Sequence, residues 1–574
     1  MSFLLLLALA QGAWLGSAFA ISPPPVAGRE AMVVTEQHLA TDVGERILKA
    51  GGNAVDAAVA VGYALAVVDP CCGNIGGGGF MTLRLADGRA IFLNFREKAP
   101  LAATRDMYLD ASGKVVPGRS TRGYLAVGVP GTVLGLDTAL TRYGTMSRAQ
   151  VMAPAIALAE KGFTLVQGDV DVMTGAAARG DLDALSGPSK MFAEEPNVAA
   201  IFLKNGKPYR AGDVLVQSDL AKTLKLIAER GPDAFYKGPI ADAIVAASQA
   251  HGGILSKEDF ARYNVEERKP IECDYRGYHV ISSPPPSSGG VAMCEILNIV
   301  EGYPMGELGL RSAASVHVLA EAMRHAYVDR NTLLGDPNFV KAPLDRLLSK
   351  DYAAKIRTAI LPDKATPSDQ VKPGVAPHEG NNTTHYSIVD SKGNAVSVTY
   401  TINTLFGAGV MAGDTGFFLN NEMDDFTAKP GVPNTYGLVQ GEENAIAPEK
   451  RPLSSMSPTI VTRDGKVFMV LGSPGGSRII TITALTLMNV VDWGLNVQEA
   501  VDAPRFHHQW QPDVIQHETN ALSKDTMEVL SRMGYQFRQF GSWGVAEAIL
   551  VDPKTGLLYG ASDNRRPQGS ARGY

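Results

Sequence analysis

The stretch that most limits the fold is Thr383-Thr384-His385-Tyr386-Ser387-Ile388-Val389-Asp390, a strand-forming run opened by two threonines. Ser391-Lys392-Gly393 is a turn signal, and Asn394 to Thr401 is a second β-rich run, so the pair is expected as a hairpin. A turn centred near Lys392 sets Thr383 opposite Thr401. A slip of one residue would pair Thr383 with Ile402 instead and turn the side chain over. Two threonines facing each other at a strand end are, on their own, an ordinary cross-strand hydrogen bond.

Three further stretches change that reading: Leu419-Asn420-Asn421-Glu422-Met423-Asp424-Asp425-Phe426, Arg451-Pro452-Leu453-Ser454-Ser455-Met456-Ser457-Pro458 and Gly472-Ser473-Pro474-Gly475-Gly476-Ser477-Arg478. With Thr401-Ile402-Asn403-Thr404, their order and spacing resemble the γ-glutamyltransferases (γ-glutamyltranspeptidases, glutathione hydrolases) over nearly the whole chain after the leader. The resemblance implies a precursor cut between Asn382 and Thr383. A large subunit of residues 21–382 and a small one of 383–574 would form a heterodimer. It also implies an α+β fold, a four-layer αββα sandwich of two stacked, mainly antiparallel sheets, as in the N-terminal nucleophile hydrolases. Substrates would be glutathione and related γ-glutamyl compounds, with water, amino acids or peptides as acceptors.

The chemistry asks for these residue types. A threonine hydroxyl is a poor nucleophile without a base. The chain has no Gly-x-Ser-x-Gly elbow. A cut before Thr383 frees an α-amine of pKa roughly 7.7–8, which can take the hydroxyl proton. Thr401 is expected to hold the hydroxyl. Gly475 and Gly476 offer consecutive backbone N–H groups to an oxyanion, at a strand–glycine–helix junction suited to anions. A γ-glutamyl head group brings a carboxylate and an ammonium. Arg96, Ser454 and Ser455 suit the first; Asn403, Glu422 and Asp425 suit the second. Lys429–Lys450 has the composition of a mobile loop and resembles the family's lid, with Tyr436 closing over the site. A glutaryl-cephalosporin-type β-lactam acylase on the same scaffold would need no ammonium partner, so the acids argue against it. An inactive binding relative fits poorly with an intact Thr383, Thr401 and Gly475-Gly476.

At 574 residues the chain can bury a large core. Its net charge of −6 argues against a nucleic-acid partner. Met1–Ala20 carries an apolar core and Ala18-Phe19-Ala20, a secretory leader lacking the usual basic start. Export to the periplasm or medium is expected, with no span in the mature chain. Adjacent Cys71 and Cys72 lack metal-site spacing, and His507-His508 suits packing, so neither a metal nor any other cofactor is expected. An exported protein could join Cys273 to Cys294, which sequence does not decide.

Asn53 is expected to cap a helix over Ala54–Val68, apolar on nearly all sides and stopped by Pro70. Gly73 to Gly79 precedes a strand and lacks Lys-Ser/Thr, so it reads as close backbone packing rather than a phosphate loop. Phe80–Leu85 with Ala90–Arg96, and Thr459–Thr462 with Lys466–Leu471, are expected hairpins. Residues 130–375 read as mostly helical, Asp363–Gly380 as a flexible stretch before the cut. Helices are expected from about Ser477 to Val491 and over Lys524–Met533.

Overall fold

The computed structural model describes residues 22–175, 185–371, 383–429 and 441–574. The leader, Asn382 and Tyr436 lie outside them. The hairpin forms as expected: Thr383–Val389 pairs antiparallel with Ala395–Thr401, Thr383 opposite Thr401. These are central strands of a seven-stranded sheet. Its order is Ser570–Gly573, Met32–Thr35, Thr383–Val389, Ala395–Thr401, Gly78–Arg84, Ala90–Phe95 and Glu266–Arg268. A second seven-stranded sheet runs Val26–Gly28, Leu558–Ser562, Glu547–Val551, Lys466–Gly472, Thr459–Arg463, Tyr278–Ser282 and Ile271–Tyr275. Every pairing in both is antiparallel. Segments from both sides of Thr383 interleave in each sheet, so a cut there leaves one composite body.

Helices cover both outer faces. Ala54–Val68 lies over the first sheet, with every residue buried. Asn53 caps it through the Val55 and Asp56 N–H groups, in a capping box with Asp56. Its all-round apolarity follows from having the sheet on one side and Arg148–Lys161 on the other. The hydroxyl of Tyr400 crosses the sheet–helix boundary to the Gly62 carbonyl at 2.9 Å. Gly289–Val300, Ala313–Leu333 and Ile479–Val491 form the layer over the second sheet. Between the sheets sit Met32, Val34, Val389, Ile460, Val470 and Ile549. The order is αββα.

Strand alternation sends Tyr386 and Ile388 to the helices and His385, Ser387 and Val389 to the space between sheets. Thr383 shares that second set's parity, so the strand delivers it to the mouth of the inter-sheet layer. There His385 reaches Thr399 Oγ1 at 2.8 Å and Ser387 Oγ at 3.1 Å. Its ring lies against Gly472, where a Cβ would come within 2.3 Å.

Burial pulls the His385 imidazole down to about 3, so it stays neutral in the fold. The unfolded chain binds its proton near pH 6.5. The stability this group contributes is therefore complete above about 6.5 and lost as pH falls toward the folded value. Between about pH 6.5 and 4.5 the loss is roughly 2–3 kcal/mol. Unfolding transitions of His385→Asn should lack that part of the acid decline; an identical pH dependence in both proteins would contradict it.

The expected glycine packing is present: a Cβ on Gly77 would sit 1.9 Å from the Thr401 carbonyl oxygen. Sequence pattern missed Val26–Gly28, Met32–Thr35, Glu266–Arg268, the Ile271–Ser282 hairpin and the Gly289–Val300 helix. The expected 477–491 helix starts as a 3-10 turn, Gly476–Arg478, before Ile479–Val491.

Candidate active site

Thr383 Oγ1 donates to Thr401 Oγ1 at 3.3 Å, and the Asn403 N–H donates to the same Thr401 oxygen at 2.8 Å. Asn403 holds a left-handed backbone (φ 72°), which asparagine tolerates. This bend turns the chain out of the strand and aims its Nδ2 at the Asn421 carbonyl, 3.0 Å away. The neighbouring Asn420 side chain bonds Gly76, Gly128 and the Glu422 N–H. The acidic turn Glu422–Asp425 is thereby fixed to the end of the Thr401 strand.

Arg96 closes the chain of contacts. Its guanidinium donates to both Glu422 and Asp425, and Glu97 lies 3.7 Å away. All four side chains are buried. Three carboxylates thus surround one guanidinium. Burial raises Glu422 well above the carboxylate range and Glu97 up to about 7, with Arg96 opposing both. Glu422 Oε2, Asp425 Oδ1 and both Glu97 oxygens have no hydrogen-bond partner among the described residues. Orphaned buried acceptors cost about 1–3 kcal/mol each.

Arg96 Nε also reaches the Pro452 carbonyl at 3.4 Å, tying in Ser454 and Ser455. Ser455 Oγ accepts from Arg330 at 2.8 Å, and Ser454 Oγ from the Met456 N–H at 3.1 Å. Gly475 (φ 140°) and Gly476 (φ 60°) open the turn before Ile479–Val491 in conformations that favour glycine. The first N–H groups of a helix lack intrahelical partners. Thr383 lines one cavity with Pro474 and Arg478, the residues that flank this turn. Thr383, Thr401, Asn403, Arg96, Glu422 and Asp425 are thus linked through a run of buried contacts, with Ser454 and Ser455 next along the chain from Pro452. The expected split of charges differs in one respect: Arg96 pairs with the very acids assigned to the ammonium.

Sequence gave no role to Glu97, Arg330 or the Asn420-Asn421 brace, although Asn420 and Asn421 lie within a quoted motif and Glu97 adjoins Arg96. It also missed Glu36, whose Oε1 accepts the His385 N–H at 2.8 Å, and Arg566, 3.0 Å from Glu36 and 3.2 Å from Asp69. Asp69, Cys71 and Cys72 place ligand-type atoms within 4.8 Å of one another. The two sulfurs are bonded to each other, and Arg566 Nη2 lies 3.0 Å from Cys72 Sγ, so a cation there would meet a guanidinium. Cys273 and Cys294 form the second disulfide.

The sequence matches the family model described as gamma-glutamyltranspeptidase over residues 40–573. It is 59% identical to the glutathione hydrolase proenzyme of Pseudomonas sp. strain A14, covering 99% of this chain and 98% of that one. The glutathione hydrolase proenzyme of Escherichia coli K12 is 51% identical, over 96% and 93% respectively. Among solved structures, the cephalosporin acylase from Bacillus halodurans superposes with a TM-score of 0.83 at 30% identity, over 98% of each chain.

Proposed function

The chain belongs to the γ-glutamyltranspeptidase family, and from that premise we propose how its buried constellation handles a γ-glutamyl substrate. It is an autoprocessed γ-glutamyltransferase and glutathione hydrolase with a threonine nucleophile. In the precursor, the Thr383 hydroxyl attacks the Asn382 carbonyl, and water opens the resulting ester. The large subunit then ends at Asn382, and the small one begins with the free α-amine of Thr383. That amine takes the Oγ1 proton as Oγ1 attacks the γ-carbonyl of the donor. Thr401 orients the hydroxyl. The Gly475 and Gly476 N–H groups receive the oxyanion. The proton passes to the departing amine, leaving a γ-glutamyl ester on Thr383. Water then yields glutamate, and an amino acid or peptide yields a new γ-glutamyl amide.

The observation that carries the substrate class is the set of orphaned acceptors around Arg96. An α-ammonium has three donors and a positive charge, which suits Glu422 and Asp425. As they turn to the ammonium, Arg96 is released to the α-carboxylate, with Ser454 and Ser455 beside it. A zwitterionic head thus meets an acidic pair and a guanidinium already set side by side. Tyr436 is assigned to the lid over this pocket. A glutaryl group brings no ammonium and would leave the acids unmet. This distinguishes the chain from a glutaryl acylase on the same scaffold.

Release of p-nitroaniline from γ-glutamyl- and glutaryl-p-nitroanilide compares substrates that differ only at the α-amine. The γ-glutamyl compound is expected to be preferred by at least about 100-fold in kcat/KM. Equal rates, or a preference for glutaryl, would sink the assignment. Among the described residues no helix is long and apolar enough to cross a membrane. Export through the Met1–Ala20 leader is part of the same proposal, and the Cys273–Cys294 disulfide suits an oxidising compartment.

A further inference from the structure

One loop takes no part in the chemistry described so far. Ser283-Pro284-Pro285-Pro286-Ser287-Ser288-Gly289-Gly290 joins the Tyr278–Ser282 strand to the Gly289–Val300 helix. It lies along residues 454–457. The Ser454 N–H donates to the Pro286 carbonyl at 2.9 Å, and the Ser288 N–H to the Ser454 carbonyl at 2.7 Å. The Ser283 and Ser287 hydroxyls both donate to the Met456 carbonyl, at 2.8 and 2.7 Å. The two glycines permit this approach: a Cβ on Gly289 would sit 2.4 Å from Ser457 Oγ, and one on Gly290 2.4 Å from the Ser283 carbonyl oxygen. The loop is thus a cradle for the backbone that carries Ser454 and Ser455.

Arg330, in the last turn of the Ala313–Leu333 helix, locks the cradle. Its Nε donates to Ser288 Oγ and its Nη2 to Ser455 Oγ, each at 2.8 Å. Ser288 Oγ in turn donates to the Ser454 carbonyl at 2.6 Å. One planar fork therefore fixes the backbone of Ser454 through Ser288 and the hydroxyl of Ser455 directly. Arg330, Ser288, Ser454 and Ser455 are all buried. A cation at a helix C-terminus is commonly a partner for the helix dipole and no more. The directions of the hydrogen bonds point further. A hydroxyl has one hydrogen. That of Ser288 is used on the Ser454 carbonyl. Ser455 Oγ accepts from Arg330, so its hydrogen is turned away from the guanidinium, and among the described residues it meets no acceptor. The neighbouring cation polarises the Oγ–H bond and makes it a stronger donor. A serine held in this way is prepared for an anion.

Building on the carboxylate assignment of Ser454 and Ser455 made above, we infer that Arg330 is a positioning residue for γ-glutamyl recognition. With Ser288 it aims the Ser455 hydroxyl at the substrate α-carboxylate. It acts through Ser455 and does not itself touch the substrate.

The test uses matured two-chain enzyme and compares γ-glutamyl-p-nitroanilide with 4-aminobutyryl-p-nitroanilide, which lacks only the α-carboxylate. Wild type is expected to prefer the first by at least about 100-fold in kcat/KM. Arg330→Gln should cut that preference about tenfold, the scale of one charge-assisted hydrogen bond. Ser455→Ala should cut it about tenfold as well, and the double variant no further than either alone. Arg330→Lys keeps a charge without the fork and should fall between wild type and Arg330→Gln. It takes the same cycle with Ser455→Ala if the glutamine variant yields no two-chain enzyme. An arginine that merely supports the fold would slow both substrates alike and leave the preference intact, which would overturn the inference. So would a double variant whose preference falls about 100-fold, since the two residues would then act independently. A wild-type preference near unity, or an undiminished one in Ser455→Ala, would instead strike the carboxylate assignment itself, and the inference with it.

Discussion

Thr383→Ala is expected to leave one uncut chain with no measurable γ-glutamyl turnover. The same hydroxyl makes the cut and carries the acyl group, so its removal stops maturation and catalysis together. Loss of a nucleophile of this kind costs roughly 10⁴–10⁶ in rate. The fold itself should persist, because Thr383 sits at the end of its strand, where its hydroxyl meets Thr401. Thr383→Ser keeps the hydroxyl and is expected to mature, but more slowly. Serine lacks the branched methyl that restricts χ1 and keeps the oxygen on Thr401. Intact mass and p-nitroaniline release from the same preparations read both effects. A Thr383→Ala protein that splits into two chains would remove this residue from the mechanism.

Asp425→Asn is the second large effect. It removes one of the two acidic groups assigned to the substrate ammonium and leaves Arg96 in contact with Glu422. Truncating one partner of a buried charge pair costs about 2–5 kcal/mol. The fall in kcat/KM for γ-glutamyl-p-nitroanilide should accordingly be about 30- to 5,000-fold. Turnover of the glutaryl analogue, which has no ammonium to lose, should change far less, so the preference between the two collapses. An unchanged γ-glutamyl rate in Asp425→Asn would place the ammonium elsewhere.

What was legible beforehand follows from where the information resides. The Thr383–Thr401 register is local: a short turn and a period of two fix it, and the structure repeats it. The Ala54–Val68 helix was equally plain, from its cap and its apolar surface. The Ile271–Ser282 hairpin was lost inside a helical region because it is short and its two-residue turn, Arg276-Gly277 (φ 50° and 81°), opens with an arginine rather than a usual turn residue. Glu36 and Arg566 are separated by 530 positions, and only the sheet order brings them behind the nucleophile strand. Arg96 offered a converse lesson. Its place beside the motif acids was expected, but its pairing with Glu422 and Asp425 depends on burial, which forces charges to find one another.

The central claim is that Thr383 becomes a chain terminus and so acquires its own base. N-terminal sequencing of the smaller chain of purified wild type, beside its intact mass, addresses that directly. The account predicts Thr-Thr-His-Tyr as the first residues and a mass equal to residues 383–574. An active protein that stays as one chain, or a smaller chain starting at any other residue, would contradict it.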